Sequence, residues 1–520
     1  MPAYPDSIFW PVLALAAFLL LSGLDDLFVC AVWFYGSISG RIGRRLPPAA
    51  SHIPERPIAI FVPLWQEAGV IGRMISHNIA SIRYRNYKLF LGAYPNDRPT
   101  LEAVAQLQSR FPDVTLAVCP TDGPTSKADC LNWIYQRMLL EETERGERFQ
   151  IVVTHDAEDI IHPESLRLIN YYACEFDMVQ VPVLPLPTPA REPTHGIYCD
   201  EFAEFQTKDI PARQLLGGFI PSNGVGTGYR RAALDRLSAA NAGRLFQPDC
   251  LTEDYENGLR LHLLGCRQVF LPLGLLEGRP AATREYFPRT RRAAIRQRTR
   301  WVTGIALQGW QRHGWCGGPR QWYWLWRDRK GLIGNPVSFA TNLLTAWLVS
   351  AWAAGAPGDL GDLRAFVPLF AAIAVIQSIC VGCRAWCVAR LYGWRLAIGV
   401  PARALWANWI NCCATLAALA LYTRARWLRE RLRWLKTEHV FPVEAAPLRP
   451  SPKVARALPA HLVRGHEILP VRIESGRIYL AGPRSLTKET RAALAQYTSL
   501  RVEYERIDAH QFQELVSALL

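Results

Sequence analysis

The hydrophobic and polar positions divide the chain into apolar spans and a long region that cannot cross a bilayer. Residues 8–36 are apolar enough for an uncleaved N-terminal anchor, and residues 332–354 and 365–383 form a second apolar pair. A helix needs about 20 apolar residues to cross a bilayer core. The loop at 357–362 is acidic, and arginines follow the pair, so the loop is expected outside and the rest in the cytoplasm. The pattern predicts a multi-pass membrane protein.

Two features of the apolar regions do not fit simple spans. Asp25 and Asp26 interrupt the first span, and an acidic pair inside a span usually faces protein or the headgroup region. Residues 402–422 are long and mostly apolar but include Arg403 and Asn411, and the strongly basic segment after them would be exported if they crossed. We therefore expect an interfacial or re-entrant helix at 402–422.

The region from residue 46 to about 330 alternates strand-like and helix-like patterns, which predicts an α/β domain. Near the end of the chain, a proline-rich stretch precedes a small strand-and-helix pattern. The predicted organisation is a membrane anchor at 1–45, a Rossmann-like α/β domain at 46–315, interfacial and transmembrane helices at 316–435, a linker at 436–457 and a small α+β domain at 458–520.

Composition and charge exclude some partners. The 520 residues include 59 Lys and Arg against 45 Asp and Glu, a formal net charge of +14. The arginines flank the apolar spans instead of forming one separate basic face, so the charge favours lipid and phosphate ligands and argues against nucleic acid. The 13 cysteines lack the paired spacings of a zinc site or a secreted disulfide framework, and we expect them to be reduced and packed.

Polar side chains follow predicted strands in the first half of the α/β domain. Glu67 follows a buried-strand pattern at 57–63, and Asp97 follows a second strand at 89–93. Ligands of open α/β sheets bind at the carboxyl ends of the strands, so both carboxylates are expected at one rim. Lys127 opens the next helix, where the side chain and the helix N-terminus could both meet phosphate. A plain N-cap at Ser126 with a solvated Lys127 is an equal alternative.

A fourth strand at 150–154 runs into His155-Asp156-Ala157-Glu158-Asp159. Clustered carboxylates repel one another unless a cation offsets their charge, and Mg²⁺ or Mn²⁺ takes one or two carboxylates plus diphosphate oxygens. Asp156 with Glu158 or Asp159 would thus hold a metal and a nucleotide-sugar diphosphate. The alternative is a helix N-cap followed by acidic first-turn residues.

Two further segments carry candidate chemistry. Glu253 and Asp254 open a helix, where Asp254 could cap the helix or take the hydroxyl proton of a glycosyl acceptor. Gln297, Arg300 and Trp301 supply an amide, a cation and a flat apolar ring, a set suited to holding a sugar chain near a membrane. The glycine-rich residues 217–229 predict either a close backbone approach or a tight structural loop.

These motifs, in this order, resemble the membrane-embedded inverting glycosyltransferases of family 2, which include cellulose and hyaluronan synthases. The resemblance rests on residues 62–67, Asp156-Ala157-Glu158, Thr252-Glu253-Asp254 and Gln297-x-x-Arg300-Trp301. It implies a GT-A (Rossmann-like) fold and the following roles: donor binding by Glu67, Asp97, Lys127 and Asp156, with Asp97 on the nucleoside; metal and diphosphate binding by Asp156 and Glu158; catalysis by Asp254 as the base, beside Glu253; and acceptor and diphosphate binding by Gln297, Arg300 and Trp301.

Finer motifs resemble one subgroup, that of the inner-membrane protein of the bacteriophage N4 adsorption system. They lie at 23–27, 94–97, 155–159, 327–331 and 436–442. Proteins of this subgroup are similar to exopolysaccharide synthases with a C-terminal module like the N-terminal domain of type II secretion ATPases (MshEN). Residues 458–520 resemble the second half of that module. The first half, which binds cyclic di-GMP in the family, is not recognisable, so regulation by cyclic di-GMP is an open hypothesis.

The resemblance implies a metal-dependent transferase in the bacterial inner membrane that uses a nucleotide-diphosphate sugar on the cytoplasmic side. The product would be an exopolysaccharide that the membrane helices export, with membrane lipid and an outer-membrane export protein as candidate partners. Two alternatives stay open. The enzyme could add a single sugar to a lipid-linked acceptor, or the chain could be a non-catalytic membrane scaffold or receptor component.

Overall fold

The computed structural model describes residues 6–42, 53–276, 279–354, 367–430, 432, 441, 450, 452–474, 476–506 and 509–519. Within these ranges the chain forms an α/β domain, a set of long apolar helices and a small C-terminal α+β domain. The acidic loop predicted at 357–362, most of the linker predicted at 436–457, and the basic residues Arg44 and Arg45 lie outside the described residues.

A mixed seven-stranded sheet forms the centre of the α/β domain. The described strands are β1 (Ile58–Pro63), β2 (Tyr87–Ala93), β3 (Val114–Val118), β4 (Ile151–Thr154), β5 (Met178–Gln180), β6 (Val183–Pro185), β7 (Thr227–Arg230), β8 (Gln268–Phe270), β9 (Leu275–Leu276), β10 (Arg279–Pro280), β11 (Thr283–Glu285), β12 (Leu469–Glu474), β13 (Arg477–Gly482) and β14 (Arg501–Arg506). The sheet order is β3-β2-β1-β4-β7-β5-β8. Strands β1 to β4 are parallel, and β7 is antiparallel to its neighbours β4 and β5. The carboxyl ends of β1, β2 and β4 therefore meet at one edge.

Helices cover both faces of this sheet and continue into the apolar regions. The described helices are α1 (Asp6–Ile38), α2 (Ala68–Ser81), α3 (Arg98–Gln108), α4 (Lys127–Arg145), α5 (Ser165–Tyr172), α6 (Pro193–Glu204), α7 (Ile210–Leu215), α8 (Arg231–Ala239), α9 (Glu253–Leu263), α10 (Arg291–Trp301), α11 (Gly309–His313), α12 (Pro319–Arg329), α13 (Gly331–Ala353), α14 (Val367–Tyr392), α15 (Trp394–Ala397), α16 (Val400–Leu428), α17 (Pro452–Ala455), α18 (Ala460–His466), α19 (Lys488–Ala495) and α20 (Ala509–Leu519). Two π-helical segments, Phe205–Asp209 and Val302–Gln308, follow α6 and α10 directly.

The side chains of β1 alternate between two hydrophobic layers. Ile58, Ile60 and Val62 pack in the layer that contains α2, while Ala59 and Phe61 pack in the layer that contains α4. A parallel sheet covered by helices on both faces buries every position of its central strands, which explains the continuous apolar run of β1. The predicted Rossmann-like α/β fold is confirmed.

Three helices of the described residues are long and apolar enough to cross a membrane: α1 from Val12 onward, α14 and α16. Helix α13, which the sequence predicts as a span, is not one of these three. Helix α16 runs without a break over 29 residues. A re-entrant segment turns back on itself, so the re-entrant alternative for residues 402–422 is wrong.

The acidic pair of α1 faces protein cations, as expected for charges in an apolar helix. Asp25 pairs with Arg327 and with Lys330, whose Nζ lies 2.8 Å from Asp25 Oδ2. Asp26 pairs with the same two cations at 3.1 and 2.7 Å, and Tyr323 donates a hydrogen bond to Asp25 Oδ1 at 2.7 Å. The pair therefore ties α1 to α12 and to Lys330, which joins α12 to α13.

The C-terminal residues form a three-stranded sheet in the order β12-β13-β14, with helices between and after its strands, as the sequence predicts. This domain packs on the α/β domain through β12 and α2. Lys453 forms an ion pair with Asp113, and the ring of Phe441 lies 5.7 Å from the ring of His77. The C-terminal domain and the α/β domain thus lie on the same side of the apolar helices. The structure does not test the resemblance to the MshEN module.

Candidate functional site

The turn after β1 is held by the residues that follow β2. The carboxylate of Asp97 accepts a hydrogen bond from the backbone N–H of Gln66 at 2.5 Å, and Thr100 Oγ1 accepts one from Glu67 N at 3.0 Å. Gln66 has a positive φ of 55°, a strained conformation for a side chain of this kind. Asp97 and Glu67 are both 4% exposed. Asp97 thus shapes the rim by fixing the backbone beside Glu67.

Lys127 reaches across the rim to the carboxylate after β4. Its Nζ lies 2.5 Å from Asp156 Oδ1. Ser126 also caps α4, because its hydroxyl accepts a hydrogen bond from Asp129 N at 3.1 Å. The N-cap at Ser126 is therefore confirmed, but Lys127 is paired and not solvated, and phosphate binding by Lys127 stays a prediction. Burial disfavours a charged lysine, yet the carboxylates of Asp156, Glu253 and Asp254 raise the pKa of Lys127 above its ordinary value.

The acidic segment after β4 divides into a buried part and an open part. His155 and Asp159 are fully buried, and His155 Nδ1 lies 2.7 Å from Asp159 Oδ2. The same Oδ2 atom accepts a hydrogen bond from Asp156 N at 3.1 Å. The carboxylate of Asp159 thus holds the loop through these two contacts. Glu158 is 4% exposed, while the side chain of Asp156 is 27% exposed and faces the rim.

The start of α9 brings two further carboxylates to the same region. Burial and the neighbouring Asp254 carboxylate raise the pKa of Glu253 to about 7, against the effect of Lys127 and Arg300. Burial likewise raises the pKa of Asp254, again against Lys127. Glu253 is 4% exposed, and Asp254 is more open. Both groups therefore change charge closer to neutral pH than ordinary carboxyl groups do.

The glycine-rich segment supplies a close backbone approach, which the sequence left as one of two alternatives. Gly224 has a φ of +77°, and a Cβ built there would lie 2.7 Å from Asp254 Oδ2. No L-residue adopts this conformation without strain, and none leaves the same space. Gly224 therefore determines where the Asp254 carboxylate lies.

The three expected acceptor residues separate in the structure. Arg300 faces the rim and acts electrostatically on Glu253 and Asp254. Oε1 of Gln297 is buried and, within the described part of the chain, accepts no hydrogen bond. The ring of Trp301 packs in an aromatic cluster, with centroids 6.1 Å from Tyr198 and 6.4 Å from Phe202.

A cleft at the carboxyl ends of β1 and β4 contains some of the residues described above. It is lined by Pro63, Leu64, Trp65, Glu67, Tyr94, Ser126, Lys127, Cys130, Asp156, Ala157 and Arg300. The other predicted site residues do not line it: Asp97, Glu158, Glu253, Asp254, Gln297 and Trp301. Trp65 and Tyr94, which the sequence analysis did not assign, form an edge-to-face pair at 5.4 Å in its wall. Such a pair offers a flat apolar surface to a ring of a ligand.

Glu285 is another residue that sequence reasoning missed. Burial raises its pKa well above the ordinary value, and the carboxylates of Asp159, Glu158 and Asp156 raise it further. No local motif marks Glu285, because it ends the short strand β11, which pairs with β6 outside the main sheet. The raised pKa keeps Glu285 protonated over a wider pH range, so it adds less negative charge around the segment after β4 than an ordinary glutamate would.

The donor atoms near Asp156 fit a hard divalent cation. Asp156, Glu158 and Glu285 offer only carboxylate oxygens, the ligands that Mg²⁺ and Mn²⁺ take, and these ions complete their shells with phosphate oxygens and water. The Lys127 ammonium group already lies against Asp156, so this carboxylate accepts a cation here. Among the described residues, no three His, Cys, Asp or Glu side chains form a ready-made metal cluster. A metal would therefore need oxygens from a bound ligand.

Residues 54–304 match the family model described as glycosyltransferase like family 2. This segment is a family 2 glycosyltransferase domain. Its mixed sheet and rim carboxylates agree with the GT-A-like fold of that family. The transferase domain thus begins shortly before β1 and ends inside the π-helical segment after α10.

The chain carrying this transferase domain is similar to two curated proteins of Escherichia coli. It is 35% identical over 468 residues to bacteriophage adsorption protein B of strain K12 and, equally, to bacteriophage N4 adsorption protein B of O157:H7. Each match covers 83% of this chain and 62% of the relative, so the chain spans less than two thirds of their length. The subgroup resemblance stated from the motifs is confirmed.

Solved structures also resemble the chain at low identity. The mannosyltransferase PcManGT from Pyrobaculum calidifontis, in complex with GDP-Man and Mn²⁺, is 18% identical with a TM-score of 0.47, covering 76% of this chain and 98% of its own. S. aureus TarS 1–349, in complex with UDP-GlcNAc, is 11% identical with a TM-score of 0.30, covering 75% of this chain and 97% of its own.

Proposed function

We propose that the protein transfers a sugar, with inversion, from a nucleotide-diphosphate donor to a glycan or lipid-linked acceptor. The observation that carries the proposal is the Lys127–Asp156 pair, 2.5 Å apart at the sheet edge, with Glu253 and Asp254 acting electrostatically on Lys127 and with Arg300 lining the same cleft. A cation facing several carboxylates suits a ligand that brings both phosphate and a divalent metal.

In this reaction the acceptor hydroxyl oxygen forms a bond to the anomeric carbon, and the bond from that carbon to the diphosphate oxygen breaks. The Asp254 carboxylate takes the hydroxyl proton, since it is more open than Glu253. Lys127 and Arg300 stabilise the negative charge that develops on the leaving nucleoside diphosphate. Mg²⁺ or Mn²⁺, held by Asp156 and Glu158, would supply further charge stabilisation when bound. Asp97 and Glu67 set the donor end of the cleft.

We further propose that the protein is a multi-pass protein of the bacterial inner membrane with its transferase domain in the cytoplasm. The product is an exopolysaccharide that leaves through the membrane helices toward an outer-membrane partner. The Gln297-x-x-Arg300-Trp301 motif, which resembles that of polymerising family 2 enzymes, supports an extended acceptor. Transfer of one sugar to a lipid-linked acceptor is the alternative, and sizing the product decides between the two.

The test measures nucleoside diphosphate release by the purified full-length protein with labelled nucleotide sugars and Mg²⁺ or Mn²⁺. We expect release with one donor class, loss of release in chelator, and loss in Asp254→Asn with donor binding retained. Absence of release with every donor would favour the scaffold alternative. An active Asp254→Asn enzyme would remove the base assignment. Cyclic di-GMP regulation stays a prediction, which calorimetry on the same sample tests.

A further inference from the structure

Helix α16 contacts the α/β domain along its whole length. Near its start, Arg403 forms two hydrogen bonds of 2.7 Å to the carboxylate of Asp200. Near its end, Tyr422 donates a hydrogen bond to Gln311 Oε1 at 2.6 Å. Arg403 and Tyr422 are 19 positions apart, which is about 29 Å along the helix and close to the thickness of a bilayer core.

The middle of α16 is held in the same way. Asn411 accepts a hydrogen bond from Arg298 Nη1 at 2.6 Å, and the carbonyl oxygen of Ala414 accepts one from Thr299 Oγ1 at 3.3 Å. Most buried positions of α16 lie on one face: Val400, Arg403, Ala407, Ile410, Ala414, Ala418 and Ala425. Cys412 and Thr415 are also buried, and Thr415 Oγ1 accepts a hydrogen bond from Asn335 of α13 at 3.0 Å. A helix bound to one domain at its start, middle and end lies along that domain.

The chain after α16 leads to the same conclusion. Lys453 forms an ion pair with Asp113 and lies 4.3 Å from the ring centroid of Tyr87, both in the α/β domain. If α16 crossed a bilayer, the C-terminal domain and the α/β domain would be on opposite sides, and these contacts could not form. Length and hydropathy alone are therefore misleading for this helix.

The opposite face of α16 is apolar and exposed. Leu405 is 59% exposed, Leu416 54% and Trp427 85%, again at helical spacing on one side. At its C-terminal end the exposed arginines Arg424, Arg426 and Arg429 outnumber Glu430. Helices α13 and α14 pack against α16. An apolar stripe with tryptophan and arginine at one end is typical of a helix in the headgroup region of an anionic bilayer.

We propose that α16 lies on the surface of the bilayer that faces the α/β domain, with its outward stripe among the upper acyl chains and its arginines on anionic headgroups. This proposal goes beyond the transferase activity and does not depend on it. It agrees with the interfacial alternative that the sequence predicts for residues 402–422 and differs from the membrane span that length and hydropathy indicate.

The test measures the depth of single positions in the full-length protein. A fluorescent amino acid is incorporated at position 405, 416 or 427, and the protein is reconstituted in vesicles of phosphatidylethanolamine and phosphatidylglycerol. Lipids spin-labelled near the headgroup or near the chain end then quench the probe. The matched control is position 379, because Ile379 is 47% exposed at the centre of α14. We expect stronger quenching by the shallow label at all three α16 positions and by the deep label at 379.

Deep quenching at 416, as at 379, would mean that α16 crosses, and no quenching would mean that the stripe faces water; either result overturns the proposal. A second comparison tests the charge. Quenching at 427 should fall when phosphatidylcholine alone replaces the mixture, and the combined variant R424Q/R426Q/R429Q should lose this dependence. An unchanged dependence in that variant would refute the role of anionic lipid. Sugar transfer is not a readout, so a failed enzyme assay leaves these outcomes intact.

Discussion

Gly224→Ala should slow the proposed sugar transfer by moving one carboxylate. The new Cβ would lie 2.7 Å from Asp254 Oδ2, where ordinary contacts begin at 3.4 Å, so the carboxylate must retreat by about 0.7 Å. A displacement of about 1 Å at a reacting group can lower the rate by about 10²-fold. The backbone at φ +77° adds a folding cost of about 1–2 kcal/mol, because an L-residue is strained there.

The assay compares kcat, donor binding and thermal unfolding of Gly224→Ala with those of Gly243→Ala. Gly243 has a φ of +83° but no atom within 4 Å of the built Cβ, so the control carries the same backbone strain without the contact. We expect kcat to fall about 10²-fold in Gly224→Ala, with donor affinity retained, and to stay unchanged in Gly243→Ala. Full activity in Gly224→Ala, or equal losses in both variants, would refute the position assigned to Asp254.

Three further predictions concern charge. Lys127→Met should lower kcat by about 10²–10³-fold in the nucleoside diphosphate release assay, because it removes a cation from the developing negative charge. Because the pKa of Asp254, the proposed base, is raised, its carboxyl group loses its proton only above the ordinary carboxyl range. Activity should therefore rise with pH on a limb above the ordinary carboxyl range, and Lys127→Met, which removes a cation that lowers the pKa of Asp254, should move that limb to higher pH in a pH–rate profile. Because the pKa of Glu253 is raised in the folded protein, the folded state binds more protons than the unfolded chain at pH values between the ordinary pKa and the raised one. The free energy of unfolding therefore falls as pH rises through that window. Asp25→Asn should reduce stability by about 3 kcal/mol in detergent, since it breaks an ion pair whose aspartate is 10% exposed, whereas the exposed Glu144→Gln should change it by less than about 0.5 kcal/mol.

The rim of the site follows from the sequence because its residues come directly after predicted strands. Buried-strand patterns end shortly before Glu67, Asp97 and Asp156, and a parallel sheet places the carboxyl ends of such strands at one edge. The N-terminus of α4 faces the same edge, so the sequence predicts that Lys127 meets a ligand there. The sequence pattern did not decide between an N-cap at Ser126 and a ligand role for Lys127. In the structure, Ser126 caps the helix.

Side-chain direction is what the sequence could not supply. Asp159 and Glu158 are equivalent in the acidic run, yet Asp159 turns inward to His155 and Glu158 does not share that contact. Trp301 resembles a sugar platform by type, but α6 offers it the rings of Tyr198 and Phe202. In both cases the choice depends on partners far away in the chain, which no local pattern contains.

The position of α16 also connects the membrane to the acceptor end of the site. Arg298 lies inside the motif that holds Gln297 and Arg300, is 6% exposed, and bonds both to Glu201 of α6 at 2.8 Å and to Asn411 of α16. A buried guanidinium shared by three helices fixes α10 at a set height above α16. If α16 lies among the headgroups, Arg300 sits within one helix diameter of the lipid surface, about 10 Å. An acceptor that is anchored in, or passes into, the membrane can then reach the cleft without leaving the bilayer surface.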